Sequence, residues 1–251
     1  MRAMIFAAGY GQRLLPVTRR LPKALVPVAG RPMIEYSLLL LKYYGIGEVI
    51  VNVHHLGEKI EEYLGDGSKI GLKVFYSRER ELLDTGGGLL YAKRFFLNET
   101  FVVINSDVVI DLSLRELIDA HRRHRAIATL VLRPDPHADL YGSIEISNDL
   151  RIQRFLDSSA PQNQPPGPLT KLMFTGVHVL EPKIFDYMEL ESGAAPCRFG
   201  ITRTTYPLML TRGETLYGFP FEGFWQDLGT VDRLRKAEEK LANGDVKLHY
   251  L

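Results

Sequence analysis

The sequence is poor in several features that would announce a function class at once. It holds one cysteine, Cys197, and one tryptophan, Trp225, in 251 residues. A single thiol excludes an intramolecular disulfide and any cysteine-based zinc cluster, and it fits a reducing compartment. No nucleophile motif surrounds Cys197, which reads as an inert thiol. No apolar run approaches the ~18 residues of a membrane span, and the one before Gly9 is too short for a secretion signal. The expectation is a cytoplasmic protein without a membrane partner. Charge of one sign is also lacking: 31 Lys plus Arg against 30 Asp plus Glu leave a net charge of +1. That removes the electrostatic reason to expect nucleic acid as a partner.

What is present is an ordinary globular composition, 45% hydrophobic and 24% charged, in a length that suits one large α/β domain better than two. The chain opens with a short apolar run, Ala3 to Ala8, of the kind that forms a buried central strand. Gly9 and Gly11 follow, and without a Cβ each lets the backbone turn sharply and approach a ligand. A dinucleotide fingerprint would need a third glycine where Leu14 stands, and a Walker A loop would need its final Gly-Lys-Ser/Thr; neither is there. Instead the segment carries Arg13, Arg19, Arg20 and Lys23, and is stiffened by Pro16, Pro22, Pro27 and Pro32. This is a preorganised cationic loop suited to phosphates. Arg19 and Arg20 are either part of it or a solvated rim.

Residues 32–44 read as a helix with Pro at its start and Gly45 at its stop, 47–54 as a buried strand and 56–64 as a short helix. The alternation implies a mostly parallel sheet with helices on both faces, whose ligands gather at the carboxyl ends of the strands. His54 and His55 sit at such an end. Adjacent residues of an extended chain face opposite ways, and no further ligand follows at metal spacing, so one packed and one exposed imidazole is expected. After a strand at 72–76 come Gly86, Gly87 and Gly88, where backbone could approach a flat ligand and offer amides at a helix start, with Asp84 and Thr85 lining the site or capping the helix. The intensely apolar strand 101–107 ends in Asp107, a carboxylate placed as a ligand for a hard cation such as Mg²⁺. Ser113 to Glu116 form a capping box for a helix at 114–124, and Asp111 either orients the site or shapes that turn. His121 and His124, without a third ligand, read as a solvated face. Residues 158–168 (SSAPQNQPPGP) are a low-complexity loop.

The stretch GYGQRLLPVTRRLPKALVPV (residues 9–28) resembles the G-x-G-x-R-L-x-P-x-T-x-x-x-P-K-x-L-x-P-V signature of the sugar-1-phosphate nucleotidyltransferases, or nucleotide-sugar pyrophosphorylases. The resemblance extends over nearly the whole chain and implies a Rossmann-like α/β fold with a small antiparallel sugar-binding portion. It implies residues 1–132 as mainly the nucleotide half, 133–230 as mainly the sugar-phosphate half, and a C-terminal helix and tail at 231–251. Arg13 and Lys23 would then be catalytic, neutralising the triphosphate and the incoming phosphate. Ala7, Ala8, Gly9, Gly11 and Gly86 to Gly88 would line the nucleotide. Asp107 and, in WQDLGT, Asp227 would hold Mg²⁺. Tyr141, Gly142, Asp157, Thr175 and Gly176 would face the sugar. The implied reaction joins a nucleoside triphosphate and a sugar 1-phosphate into an NDP-sugar and pyrophosphate, with UTP or GTP as donor, in a monomer or small homo-oligomer.

One departure stands out. Where relatives acting on hexose phosphates carry F-x-E-K-P, this chain reads Arg154-Phe155-Leu156-Asp157-Ser158, with Asp157 as the substitute for the Glu and no substitute for the Lys. The loop and the missing element are similar to short muramic acid 1-phosphate uridylyltransferases, and residues 104–124 to mannose-1-phosphate guanylyltransferases. Two other readings stand beside these: a nucleotide-sugar sensor that kept the fold without catalysis, and a cytidylyltransferase acting on a non-sugar phosphate such as phosphocholine. The chain ends soon after its last helix, so no regulatory β-helix is expected.

Overall fold

The computed structural model describes residues 1–136, 138, 143–161, 167–192 and 197–251. Two compact units make up the chain, and their segments interleave: Met1–Leu82, Val103–Leu112 and Gly223–Leu251 form the first, Leu83–Val102 and Ser113–Glu222 the second.

The first unit is built on parallel strands. Arg2–Phe6 pairs in parallel with Glu48–Val53, which pairs in parallel with Lys73–Arg78, and the strand Phe101–Asn105 lies on the other side of Arg2–Phe6. Glu48–Val53 is buried from Val49 to Val53 without alternation, as a strand covered on both faces must be. The helix Met33–Tyr43 forms because Met33, Ile34, Leu38 and Leu41 recur at helical spacing and Pro32 precedes it. It is stopped at Gly45, whose φ of 74° no β-carbon-bearing residue adopts cheaply. The helix Gly57–Leu64 packs on Lys73–Arg78. A short second ladder completes the unit: Val108–Ile110 runs antiparallel to Trp225–Asp227, and the helix Val231–Ala242 follows.

The second unit is largely antiparallel. Its long strand Thr170–Leu180 pairs antiparallel with Ala128–Arg133 and with Ile144–Ile146, which pairs antiparallel with Ile152–Phe155, while Leu216–Pro220 joins Ala128–Arg133 in parallel. Helices at Asp84–Tyr91, Leu114–His124, Ile184–Ser192 and Thr205–Thr211 belong to it. The expected α/β class, with parallel central strands and an antiparallel portion, is the architecture found. Among the described residues, no helix is long and apolar enough to cross a membrane.

Candidate active site

The cationic loop leaves the strand Arg2–Phe6 and passes through three single 3-10 turns, Gln12–Leu14, Val17–Arg19 and Lys23–Leu25. Gly11 is its pivot. With φ at 65°, and with a hypothetical Cβ only 2.9 Å from both Lys23 Cβ and Thr18 Cγ2, it excludes a side chain by backbone and by packing alike. Gly9 differs, because the space its Cβ would take is open. Ala7 and Ala8 are buried, and the Ala7 amide donates to Asn52 Oδ1 at 2.8 Å. Asn52 Nδ2 in turn donates to Glu79 Oε1 at 2.6 Å.

The strand Phe101–Asn105 ends one turn before Asp107, so this carboxylate stands at its carboxyl tip. In the antiparallel ladder beyond it, Asp227 lies opposite Val108, and the Leu228 amide donates to the Asp107 carbonyl at 2.8 Å. Two aspartates from distant parts of the chain thereby become neighbours. Lys23 Nζ forms an ion pair with Asp107 Oδ2. Asp227 Oδ1 accepts from the Gly229 amide at 2.8 Å and from Arg233 Nη1 at 2.7 Å. Arg13 reaches the same place: a Cβ on Gly229 would stand 2.6 Å from Arg13 Nη2 and 2.7 Å from Asp227 Oδ1. Gly229 is therefore the gap through which the Arg13 guanidinium approaches Asp227.

The site thus gathers Arg13, Lys23 and Arg233 around Asp107 and Asp227. Burial, and next the Asp107 carboxylate, push the Asp227 carboxyl above the usual aspartate value, against the pull of the Gly229 amide, Lys23 and Arg13. Two carboxylates so placed favour a compensating cation. Their donors are all oxygen, and no group of three or more His, Cys, Asp or Glu that could hold a metal occurs among the described residues. That set suits Mg²⁺, which takes one or two carboxylates and fills its remaining positions with water and substrate oxygens, and it does not suit zinc.

Arg233 was not singled out from the sequence, although a signal was available. It sits in the first turn of the helix capped by Thr230, where the positive end of the helix dipole disfavours a cation. An arginine there is better explained by a carboxylate such as Asp227 than by helix stability. Arg19 and Arg20 are exposed. Asp111 accepts from the backbone and side-chain nitrogens of His249, at 3.0 and 2.6 Å, and so ties down the last residues of the chain.

The other expected site residues lie in the second unit. Gly86, Gly87 and Gly88 are buried inside the first turns of the helix Asp84–Tyr91 and do not precede it. The close approach they permit is made by the chain itself: the Gly86 and Gly87 amides donate to the Phe199 carbonyl at 2.9 and 3.2 Å. A Cβ on Gly86 would strike the Phe199 ring, and one on Gly87 the Cys197 carbonyl. Thr85 Oγ1 accepts from the Ile201 amide at 3.1 Å, and Asp84 Oδ1 accepts from the Thr85 amide at 2.7 Å. Thr175 is buried and donates its hydroxyl to the Val131 carbonyl at 2.9 Å, and Gly176, at φ 86°, sits in a register shift between Phe174 and His178. Asp157 is exposed. Tyr141 and Gly142 lie outside the described residues. His121, read as part of a solvated face, is buried instead, between Thr129 Oγ1 at 2.9 Å and Glu181 Oε1 at 3.0 Å. The alternation that hides it is that of the helix, with Leu114, Leu117 and Ala120 on the same side.

The chain belongs to the nucleotidyl transferase family, whose model matches residues 2–244. It is 31% identical over 260 residues to a UTP--glucose-1-phosphate uridylyltransferase of Synechocystis sp., covering 98% of this chain and 65% of that protein. It is 31% identical over 245 residues to a mannose-1-phosphate guanylyltransferase of Mycobacterium tuberculosis, covering 96% and 65%. An N-acetylmuramate alpha-1-phosphate uridylyltransferase of Neisseria meningitidis serogroup B is 35% identical over 251 residues, with 95% of this chain and 97% of that one covered. The chain thus spans about two thirds of the first two relatives and nearly all of the third. The fold matches the crystal structure of an apo UDP-glucose pyrophosphorylase with a TM-score of 0.76 at 18% identity, over 98% of this chain and 100% of that one.

Proposed function

We propose that the protein transfers a nucleotidyl group from a nucleoside triphosphate to a sugar 1-phosphate, releasing pyrophosphate. The observation that carries this reading is the constellation in the first unit: Arg13, Lys23 and Arg233 set around the adjacent carboxylates Asp107 and Asp227. An oxygen of the sugar phosphate forms the new bond to the α-phosphorus, the bond to the bridging oxygen breaks, and pyrophosphate leaves with that electron pair. Such a displacement needs positioning and charge neutralisation more than covalent help.

Arg13 and Lys23, on opposite arms of one stiff loop, supply positive charge for the phosphates. Gly9 leaves room for the ligand beside the backbone. Mg²⁺, held by Asp107 and Asp227, would bind phosphate oxygens and offset the charge that develops on the leaving group. Lys23 and Arg233 keep the two carboxylates oriented, and Lys23 exchanges its bond to Asp107 for one to phosphate when substrate enters.

For the donor base, uridine is the better supported. A relative matched over 97% of its length is named as a uridylyltransferase, and this chain has Arg154 to Ser158 in place of F-x-E-K-P. Pyrophosphate release with Mg²⁺ tests the proposal, measured for UTP, GTP, CTP, ATP and dTTP against hexose, N-acetylhexosamine, heptose and muramic acid 1-phosphates and phosphocholine. Turnover of UTP with one sugar 1-phosphate is the expected result. Turnover with phosphocholine alone, or nucleotide binding without turnover across the panel, would overturn it.

A further inference from the structure

His54 and His55 directly follow the buried strand Glu48–Val53, and their side chains are both half-buried, not one packed and one exposed. Each is engaged with the cationic loop. His55 Nε2 lies 3.1 Å from the Thr18 carbonyl, and a carbonyl can only accept, so this nitrogen carries the proton. His54 Nδ1 lies 3.1 Å from the Glu79 carbonyl and donates to it for the same reason. That leaves His54 Nε2, in the neutral ring, to accept from the Tyr10 hydroxyl at 3.1 Å. The Tyr10 ring packs against both imidazoles, with centroids 5.5 and 5.2 Å away. One helical turn further on, Lys59 Nζ donates to the Arg20 carbonyl at 2.6 Å.

These contacts fall at three heights of the loop: Tyr10 at its start, Thr18 in its middle and Arg20 just beyond. Thr18 is the decisive one. It is 1% exposed, its Oγ1 donates to the Gly11 carbonyl at 2.9 Å, and its methyl fills the space beside Gly11 that Lys23 Cβ also borders. Fixing Thr18 therefore fixes the spacing between the arm that bears Arg13 and the arm that bears Lys23. An exposed loop of this length, with no long helix or strand of its own, would otherwise sample many conformations and lose entropy on closing around a ligand.

We infer that His55, supported by Lys59, is a positioning residue for the triphosphate loop: it acts through Thr18 to hold Arg13 and Lys23 at their working separation. The inference rests on the loop's role proposed above, but the brace itself can be tested without it. Arg19 and Arg20 give trypsin two cleavage sites inside the braced stretch. Native-state trypsin cleavage after these residues, and KM and kcat for UTP with Mg²⁺, would be measured on the wild type, His55→Ala, His55→Gln and Lys59→Met.

His55→Ala should be cleaved there about tenfold faster and show a KM for UTP raised about tenfold, the scale of one lost hydrogen bond. Its melting temperature should stay within a few degrees of the wild type. His55→Gln, whose amide can still donate to the Thr18 carbonyl, should recover both values, and Lys59→Met should fall between. If His55→Ala does not fold, Lys59→Met decides. Wild-type cleavage and KM in the folded variants, or no recovery in His55→Gln, would overturn the brace. A wild type that turns over no nucleotide but whose variants are cleaved faster would refute the proposed function and leave the brace standing.

Discussion

Gly229→Ala is the sharpest test of how the site is built, because it adds one methyl group where the structure leaves no room for it. The new Cβ would stand 2.6 Å from Arg13 Nη2 and 2.7 Å from Asp227 Oδ1, whereas ordinary contact begins at 3.4 Å. Something must retreat by roughly 0.8 Å, close to the ~1 Å misplacement that costs about 100-fold in rate. Arg13 is exposed and can swing away, but the Asp227 carboxylate, held by the Gly229 amide and by Arg233, must turn as well, because its Oδ1 is crowded at 2.7 Å. Since nothing in the core moves, the stability cost should be about 1 kcal/mol, or a fall of about 2–4 °C in melting temperature. Pyrophosphate release should therefore fall by about 100-fold in kcat/KM, with the Mg²⁺ midpoint raised as well because the Asp227 carboxylate turns. Turnover within about threefold of wild type in a folded variant would refute the placement of Arg13. A collapse of the melting transition would refute the claim that the crowding is confined to the site.

Three further outcomes follow from the geometry. Asp227 is held above the usual aspartate value by burial and by Asp107, and a protonated carboxyl cannot bind a cation, so apparent Mg²⁺ affinity should fall about tenfold per pH unit below that raised pKa. The decline should begin at higher pH than for an isolated aspartate site, and Asp227→Asn should raise the Mg²⁺ requirement and flatten the profile; a metal titration insensitive to both would make Asp227 structural. His178 is fully buried, its Nδ1 hydrogen-bonded to the Tyr206 hydroxyl, and burial pushes its pKa down to about 3. Below about pH 6.5 the unfolded chain takes up a proton that the folded one refuses, so stability should drop on the order of 1 kcal/mol per pH unit, and denaturant titrations of His178→Leu should lose that slope. Gly87→Ala puts a Cβ into the Cys197 carbonyl, and backbone cannot step aside as a side-chain end can, so we expect a loss of about 1–3 kcal/mol in chemical denaturation; an unchanged midpoint would argue that residues 197–199 are not locked onto this helix.

What the sequence disclosed, and what it withheld, divides along a physical line. Gly11, Arg13, Lys23 and Asp107 were legible because the constraints on them are local: a left-handed φ, a stiff proline-rich loop, a carboxylate at the tip of an apolar strand. Asp227 required the family resemblance, since nothing within WQDLGT says which strand it will pair with. Arg233 and the two histidines were missed or set aside because their partners are far away in the chain, and pairing across such distances is decided by tertiary packing, not by local pattern. The glycines at 86–88 show the limit most plainly. Their composition announces a close backbone approach, yet it does not say that the approaching group is Phe199 and Cys197. Thr175 is similar: a hydroxyl in an apolar strand offers itself to a ligand on paper, while in the fold it satisfies the Val131 carbonyl.

The interleaving of the first unit has a consequence for the order in which the protein is made. Residues 1–82 and 103–112 hold the cationic loop, Lys23 and Asp107, but the strand bearing Asp227 and the helix bearing Arg233 come only with residues 223–251. A ribosome-bound chain that has emerged only through residue 222 holds Lys23 and Asp107 but lacks Asp227 and Arg233. Val108–Ile110 and Trp225–Asp227 are separated in sequence by most of the second unit, so closing their ladder is a long-range step in folding, slow relative to the local turns of the loop. With the site roles proposed above, a nascent chain that lacks residues 223–251 should release no pyrophosphate.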